Sequence, residues 1–286
     1  MLLVNYYFLA LFLGILEGLT EFLPISSTAH LRIAQALLGL DLQNEYWKMF
    51  SIVIQLGAIV SVIVYFWEKL IFLIKTFPHG KTKTRTILNN PLSLTMVAFA
   101  VTAIPAFLLS KIIGKNLESL SVMGYSLVVG GGIMWFVDWY FNKPRIFHIE
   151  EMGLREALWI GAVQILSAIF PGTSRSMSTI VAGQLVGLSR TASLEFSFFV
   201  SIPVMITATA YELVTTLFGH DLTTTASKPL TMLSHDWILL GIGFITSFLV
   251  AWAVIAWFMH WVRNRGFVPF ACYRIIVGLC VLLWIF

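Results

Sequence analysis

Six apolar runs, each near or above the roughly 18 residues needed to cross bilayer hydrocarbon, constrain this chain more than any other feature. They fall at about 47–67, 92–111, 120–141, 193–217, 237–262 and 268–286. Their continuous Leu, Ile, Val and Phe content argues for helices rather than the alternating strands of a membrane barrel. Of 286 residues 58% are apolar and 11% charged, whereas a soluble domain carries roughly a quarter of its residues charged. The chain reads as an all-α polytopic membrane protein with six transmembrane helices. Cys272 and Cys280 sit eight residues apart on one predicted helix. That is about 12 Å along its axis, beyond the reach of a disulfide. The net charge of +4 is modest and its basic residues lie in connecting segments, so it reports topology and points to no nucleic-acid partner.

Two more segments are apolar but interrupted. Residues 6 to 22 have helical character and end at Pro24, whose ring disfavours helix at the residue before it. A second short helix is expected from the Ser26-Ser27-Thr28 cap to Leu38 and Gly39. Neither half spans alone, and irregular backbone at membrane depth is tolerated only where it is buried in protein or lines a wet cavity. The spacing therefore predicts a re-entrant helix-loop-helix. Residues 156 to 187 repeat it around Pro171-Gly172.

Laid on each other at an offset of 147, the two segments place Glu17 on Gln164, Pro24 on Pro171, Ser26 on Thr173, Ser27 on Ser174 and Thr28 on Arg175. Each half then holds one re-entrant segment and three spans. An odd number of crossings inverts the second half, so a single membrane domain, 1–286, is expected as repeat 1 (1–145) and repeat 2 (146–286) in inverted topology. Charge counting agrees. Lys69, Lys75, Lys81, Lys83, Arg85, Lys143, Arg145, Arg155, Arg190, Arg263 and Arg265 fall on one side, against Lys48, Lys111, Lys115 and Lys228 on the other. The first side is read as cytoplasmic.

Glu17 and Glu21 lie one helical turn apart, on one face. Two carboxylates at that depth each cost roughly 2.5–3.5 kcal/mol, which a bridging divalent cation would offset; the alternative is a carboxyl that is protonated or paired with a buried arginine. An all-oxygen donor set suits Mg²⁺ or Ca²⁺. Ser26, Ser27 and Thr28 stand at a helix start, where free backbone N–H groups and the helix dipole favour phosphate; plain capping is the competing use. His30, three residues after Ser27, is placed to pair with it as base or acid. Arg175, flanked by Ser174 and Ser176 in an apolar setting, suits bidentate phosphate binding, and a salt bridge to Glu21 is compatible with that role. The two stretches are expected to face each other and form one phosphoryl-transfer site. Asp138 and Arg274, near span ends, are expected to snorkel or pair.

The run Glu17-Gly-Leu-Thr-Glu21-Phe-Leu-Pro-Ile-Ser-Ser-Thr-Ala-His30, with Pro171-Gly-Thr-Ser-Arg-Ser-Met-Ser-Thr179, resembles the undecaprenyl-diphosphate phosphatase family, the bacitracin-resistance type of bacterial inner-membrane enzyme. The resemblance extends over essentially the whole chain. It implies hydrolysis of a polyprenyl diphosphate lipid, undecaprenyl diphosphate, to the monophosphate and inorganic phosphate on the outer face of the membrane. That reaction recycles the carrier for cell-wall polymers. Carried over by position, Glu17 and Glu21 resemble the metal-binding pair, Ser27 the nucleophile, His30 an acid or base, and Ser174 with Arg175 the phosphate binders. Attack by His30 or by water stays open, and the reading leaves room for a homodimer. An inverted-repeat transporter or flippase would share the broken helices, and a different lipid phosphatase would need only a different tail groove.

Overall fold

The computed structural model describes residues 6–79, 86–109, 119–218 and 232–285. Lys81, Lys83, Arg85, Lys111, Lys115 and Lys228 of the charge count lie outside them. The described residues form eleven α-helices: α1 (Tyr6–Thr20), α2 (Ser27–Leu37), α3 (Glu45–Tyr65), α4 (Trp67–Lys75), α5 (Pro91–Leu108), α6 (Leu120–Tyr140), α7 (Leu154–Ile169), α8 (Arg175–Leu185), α9 (Arg190–Phe218), α10 (Ser234–Arg265) and α11 (Val268–Ile285). Six of them, α3, α5, α6, α9, α10 and α11, are long and apolar enough to cross a membrane. These match the six runs expected from sequence.

Both interrupted segments break as expected, and in the same way. Ser26 and Ser174 cap α2 and α8, each accepting a backbone N–H in the first turn, from Ala29 and Met177. Both caps lie in the left-handed region, with φ of 74° and 72°. That backbone costs a residue with a Cβ about 1–2 kcal/mol, and such strain collects where function requires it. Both short helices also end alike. Gly39 and Gly187 take positive φ, while Leu40 and Leu188 donate back to the carbonyls of Gln35 and Gly183.

The matching caps correct the sequence alignment. Ser26 corresponds to Ser174, not Thr173, and Ser27 to Arg175, an offset of 148. The second turn holds one more residue between its proline and its cap than the first, and a constant offset cannot represent that.

Packing runs crosswise between the halves. Helix α1 lies along α10 and α7 along α5, while α3 crosses α9 and α6 runs against α11. Small residues permit the first two contacts: a Cβ on Gly14 would meet the Gly243 carbonyl at 2.7 Å, and one on Gly161 the Ala98 carbonyl at 2.6 Å. Phe22, fully buried in the first turn, packs edge-on against Phe198 of α9 with centroids 5.2 Å apart. The broken helix is thereby anchored beside Glu21.

Helix α4 was expected as loop. It is nine residues long and buries only Leu73, so its sequence reads like a charged connection. Lys69 is not a free topological charge. It bridges Glu150 at 3.0 Å and Glu195 of α9. Burial pulls its ammonium towards a lower pKa, but the two carboxylates outweigh this and hold it above the ordinary lysine value. Cys272 and Cys280 are both free.

Candidate active site

The turn between α1 and α2 faces the turn between α7 and α8. Arg175 at the start of α8 donates from Nη2 to Glu21 Oε1 at 2.8 Å, and from Nη1 to the Ser201 carbonyl of α9 at 3.5 Å. Ser176 Oγ donates to the Leu23 carbonyl at 3.1 Å, a second link between the turns. Ser174 Oγ lies 3.0 Å from Ser176 Oγ. Glu21 is thus held by a cation from the other half of the chain, and the salt bridge considered from sequence is present.

Ser27, the first residue of α2, donates its hydroxyl to Glu21 Oε2. The expected Ser27–His30 pair does not form. His30 Nδ1 lies 2.7 Å from the Ser26 carbonyl, and Nε2 lies 2.9 Å from the hydroxyl of Tyr273 on α11. Three residues along a helix put Ser27 and His30 near one face, but Ser27 is taken by the Glu21 carboxylate and His30 by the Ser26 carbonyl and Tyr273. Ser26 is occupied as the cap. Thr28 is exposed and lies outside the bonded cluster.

Glu17 sits one turn before Glu21, fully buried, with both carboxylate oxygens lacking a hydrogen-bond partner. The Nε of Arg175 is likewise buried and unpartnered. An orphaned buried carboxylate is costly, and either a proton or a bound cation would relieve it. Among the described residues no three His, Cys, Asp or Glu side chains gather as a metal cage. Two carboxylates beside hydroxyls nevertheless fit a hard cation that takes its remaining ligands from water and substrate phosphate, as Mg²⁺ commonly does.

Sequence reasoning set Arg274 aside, and the structure corrects this. Arg274 neither snorkels nor meets a carboxylate. It is fully buried and donates to three backbone carbonyls: Pro24 in the first turn at 3.0 Å, Gly172 in the second at 3.0 Å, and Ser126 of α6 at 3.1 Å. Gly130 makes the room, since a Cβ there would run into the guanidinium. One side chain thereby ties both turns together. The signal that could have found it is a lone arginine in an otherwise uncharged span, which is a functional candidate by default. Arg274→Met should lower stability by about 2 kcal/mol. Two turn carbonyls lose a donor at about 1–3 kcal/mol each, partly offset by the desolvation the guanidinium no longer costs. Thermal unfolding in detergent checks this; an unchanged midpoint would remove the clamp.

Asp138, by contrast, pairs as expected. It takes Arg190 Nε at 2.7 Å, Gln184 Nε2 at 3.0 Å and the Phe267 N–H at 2.9 Å, away from the two turns. Glu195 is taken up by Lys69.

Two helix N-termini, a pair of carboxylates, an arginine with an unused donor and several hydroxyls meet between broken helices of a polytopic membrane protein. Helix N-termini and a guanidinium with a spare donor are groups that an oxyanion could use. The chain belongs to the family described as bacitracin resistance protein BacA, whose model matches residues 10–280. It is similar to proteins named undecaprenyl-diphosphatase. One, from Koribacter versatilis, is 57% identical over 282 residues, covering 98% of this chain and 99% of that protein. Another, from Polaromonas naphthalenivorans, is 41% identical over 277 residues, 96% of this chain and 93% of the relative. A third, from Caldanaerobacter subterraneus, is 38% identical over 274 residues, 96% and 94%.

Proposed function

We propose that this protein is a membrane-embedded undecaprenyl diphosphatase. It hydrolyses undecaprenyl diphosphate to undecaprenyl phosphate and inorganic phosphate, which returns the lipid carrier to cell-wall synthesis and gives bacitracin resistance. The observation that carries the reading is the hydrogen bond from Ser27 to Glu21, with the same carboxylate ion-paired to Arg175 from the other half of the chain. A hydroxyl on a carboxylate that is itself oriented by a guanidinium is arranged as a nucleophile with its base.

Ser27 Oγ attacks the terminal phosphorus, its proton passes to Glu21 Oε2, and the bond to the bridging oxygen breaks to release undecaprenyl phosphate. Arg175 binds the phosphoryl oxygens with the donors that its bond to Glu21 leaves over, and the N-termini of α2 and α8 add backbone N–H groups. Water then attacks the phosphoserine and gives a proton to His30, which afterwards releases it to solvent or the departing phosphate. The Ser27–phosphorus bond breaks as Glu21 returns its proton to Oγ. Glu17 and Glu21 would hold a divalent cation, Mg²⁺ or Ca²⁺, whose chemistry is to neutralise charge on the diphosphate.

The α1–α2 and α7–α8 pairs are read as re-entrant hairpins in an inverted repeat. The crosswise pairing of α1 with α10 and of α7 with α5, and the twin left-handed serine caps, support it. The charge count is read as putting both termini outside, and the family resemblance as putting the site on the outer face of the bacterial inner membrane, with the polyprenyl tail among the helices. Purified protein in detergent should release inorganic phosphate from undecaprenyl diphosphate, and EDTA should lower the rate at least about tenfold with recovery on adding Mg²⁺. Movement of the lipid across liposomes without any phosphate release would favour the transporter reading instead.

A further inference from the structure

Helix α11 reaches the site with two consecutive residues. Arg274 bonds the carbonyls of Pro24 and Gly172 and so fixes this stretch of α11 against both turns. Its neighbour Tyr273 presents a hydroxyl to His30 Nε2 at 2.9 Å, with the two rings parallel within 9° and centroids 5.5 Å apart. The other ring nitrogen faces a carbonyl, that of Ser26. A carbonyl has no hydrogen to give, so Nδ1 carries the proton. In the neutral ring Nε2 is then the acceptor and the phenol donates to it; once Nε2 is protonated, it donates to the same phenolic oxygen. Because a hydroxyl can do both, the contact survives either state of the ring.

The two nitrogens differ in access. Nδ1 is closed off against the backbone of the capping residue, whereas Nε2 meets the hydroxyl of Tyr273, which is 42% exposed while His30 is buried, so the outward path from the imidazole runs through the phenol. We propose that Tyr273 orients His30 and relays protons to it in the diphosphatase reaction: the Ser26 carbonyl keeps Nδ1 protonated, and as the attacking water gives its proton to the Tyr273 oxygen, the phenol's own proton passes to Nε2. The inference rests on the phosphatase reading above and adds a residue to its machinery. The fixed tautomer is what a general base requires, because only the unprotonated nitrogen can take a proton.

Tyr273→Phe keeps the ring against His30 and removes only the hydroxyl. On the proposal, kcat for phosphate release from undecaprenyl diphosphate falls about tenfold, as expected for loss of a group that orients a catalytic side chain. KM stays within about twofold, and the melting midpoint is unchanged. In a His30→Gln background the same substitution costs nothing further, because its target is gone. An unchanged kcat, a change confined to KM, or a full additional loss in the His30→Gln background would each overturn it. A readout independent of turnover accompanies these assays. Nitrogen-15 spectra of histidine-labelled protein, with His30 assigned by its disappearance in His30→Gln, should give the Nδ1–H tautomer in the wild type. The Nε2 resonance should shift in Tyr273→Phe. Spectra that do not change between the two would overturn the positioning role even if wild-type protein released no phosphate. Absence of wild-type release would separately count against the phosphatase reading.

Discussion

Ser27→Ala is expected to lower kcat for phosphate release by at least about 10³-fold, the loss typical of removing a nucleophile from a site that keeps its other groups. The variant should still fold. Ser26, not Ser27, caps α2, so the helix start survives, and alanine is a good helix former. What disappears is the donor to Glu21 Oε2. The base therefore keeps its place beside Arg175 but has no hydroxyl to activate. Wild-type protein mixed with substrate labelled in its terminal phosphate and quenched in acid should carry label on Ser27, and Ser27→Ala should carry none. Turnover within about tenfold of wild type in a folded Ser27→Ala preparation would mean that water attacks directly, with Ser27 reduced to a hydrogen-bonding side chain.

Arg175→Ala is expected to cost at least about 10³-fold in kcat/KM, comparable to loss of an arginine that neutralises charge in phosphoryl transfer. The guanidinium does two things that one ammonium cannot do together. It holds Glu21 Oε1 at 2.8 Å and reaches the Ser201 carbonyl while keeping a buried Nε unpartnered. Arg175→Lys should therefore recover only a small part of the activity, since a point charge lacks the planar fork. Kinetics of both variants with undecaprenyl diphosphate check this, and a lysine variant near wild type would reduce the role of Arg175 to charge alone.

The contrast between Glu21 and Arg274 explains how much of the site could be read beforehand. Glu21, Ser27 and Arg175 sit beside prolines that break apolar helices, where polar residues are conspicuous, and helical spacing and hydropathy suffice to single them out. Arg274 is as conspicuous in its span, but its role could not be read, because its partners are backbone carbonyls of Pro24, Gly172 and Ser126, and a carbonyl leaves no mark on residue identity. Tyr273 was missed because its partner lies 243 residues away. The Ser27–His30 pairing failed because each side chain has a different partner, Glu21 for Ser27 and the Ser26 carbonyl and Tyr273 for His30, and helical spacing says nothing about those. The repeat alignment moved by one position because the second turn has one more residue between its proline and its cap. Six spans and two breaks follow from hydropathy and proline; the bonding inside the breaks depends on two strained serines that no periodicity reveals.

The central claim is that two turns, one from each half of the chain, make one phosphoryl-transfer site. Rates of phosphate release from undecaprenyl diphosphate by Glu21→Gln, Arg175→Ala and the double variant test it most directly. If the two residues act together, each single variant loses at least about 10³-fold and the double variant loses little more. Losses that multiply, or a single variant that stays near wild type while folded, would contradict a shared site.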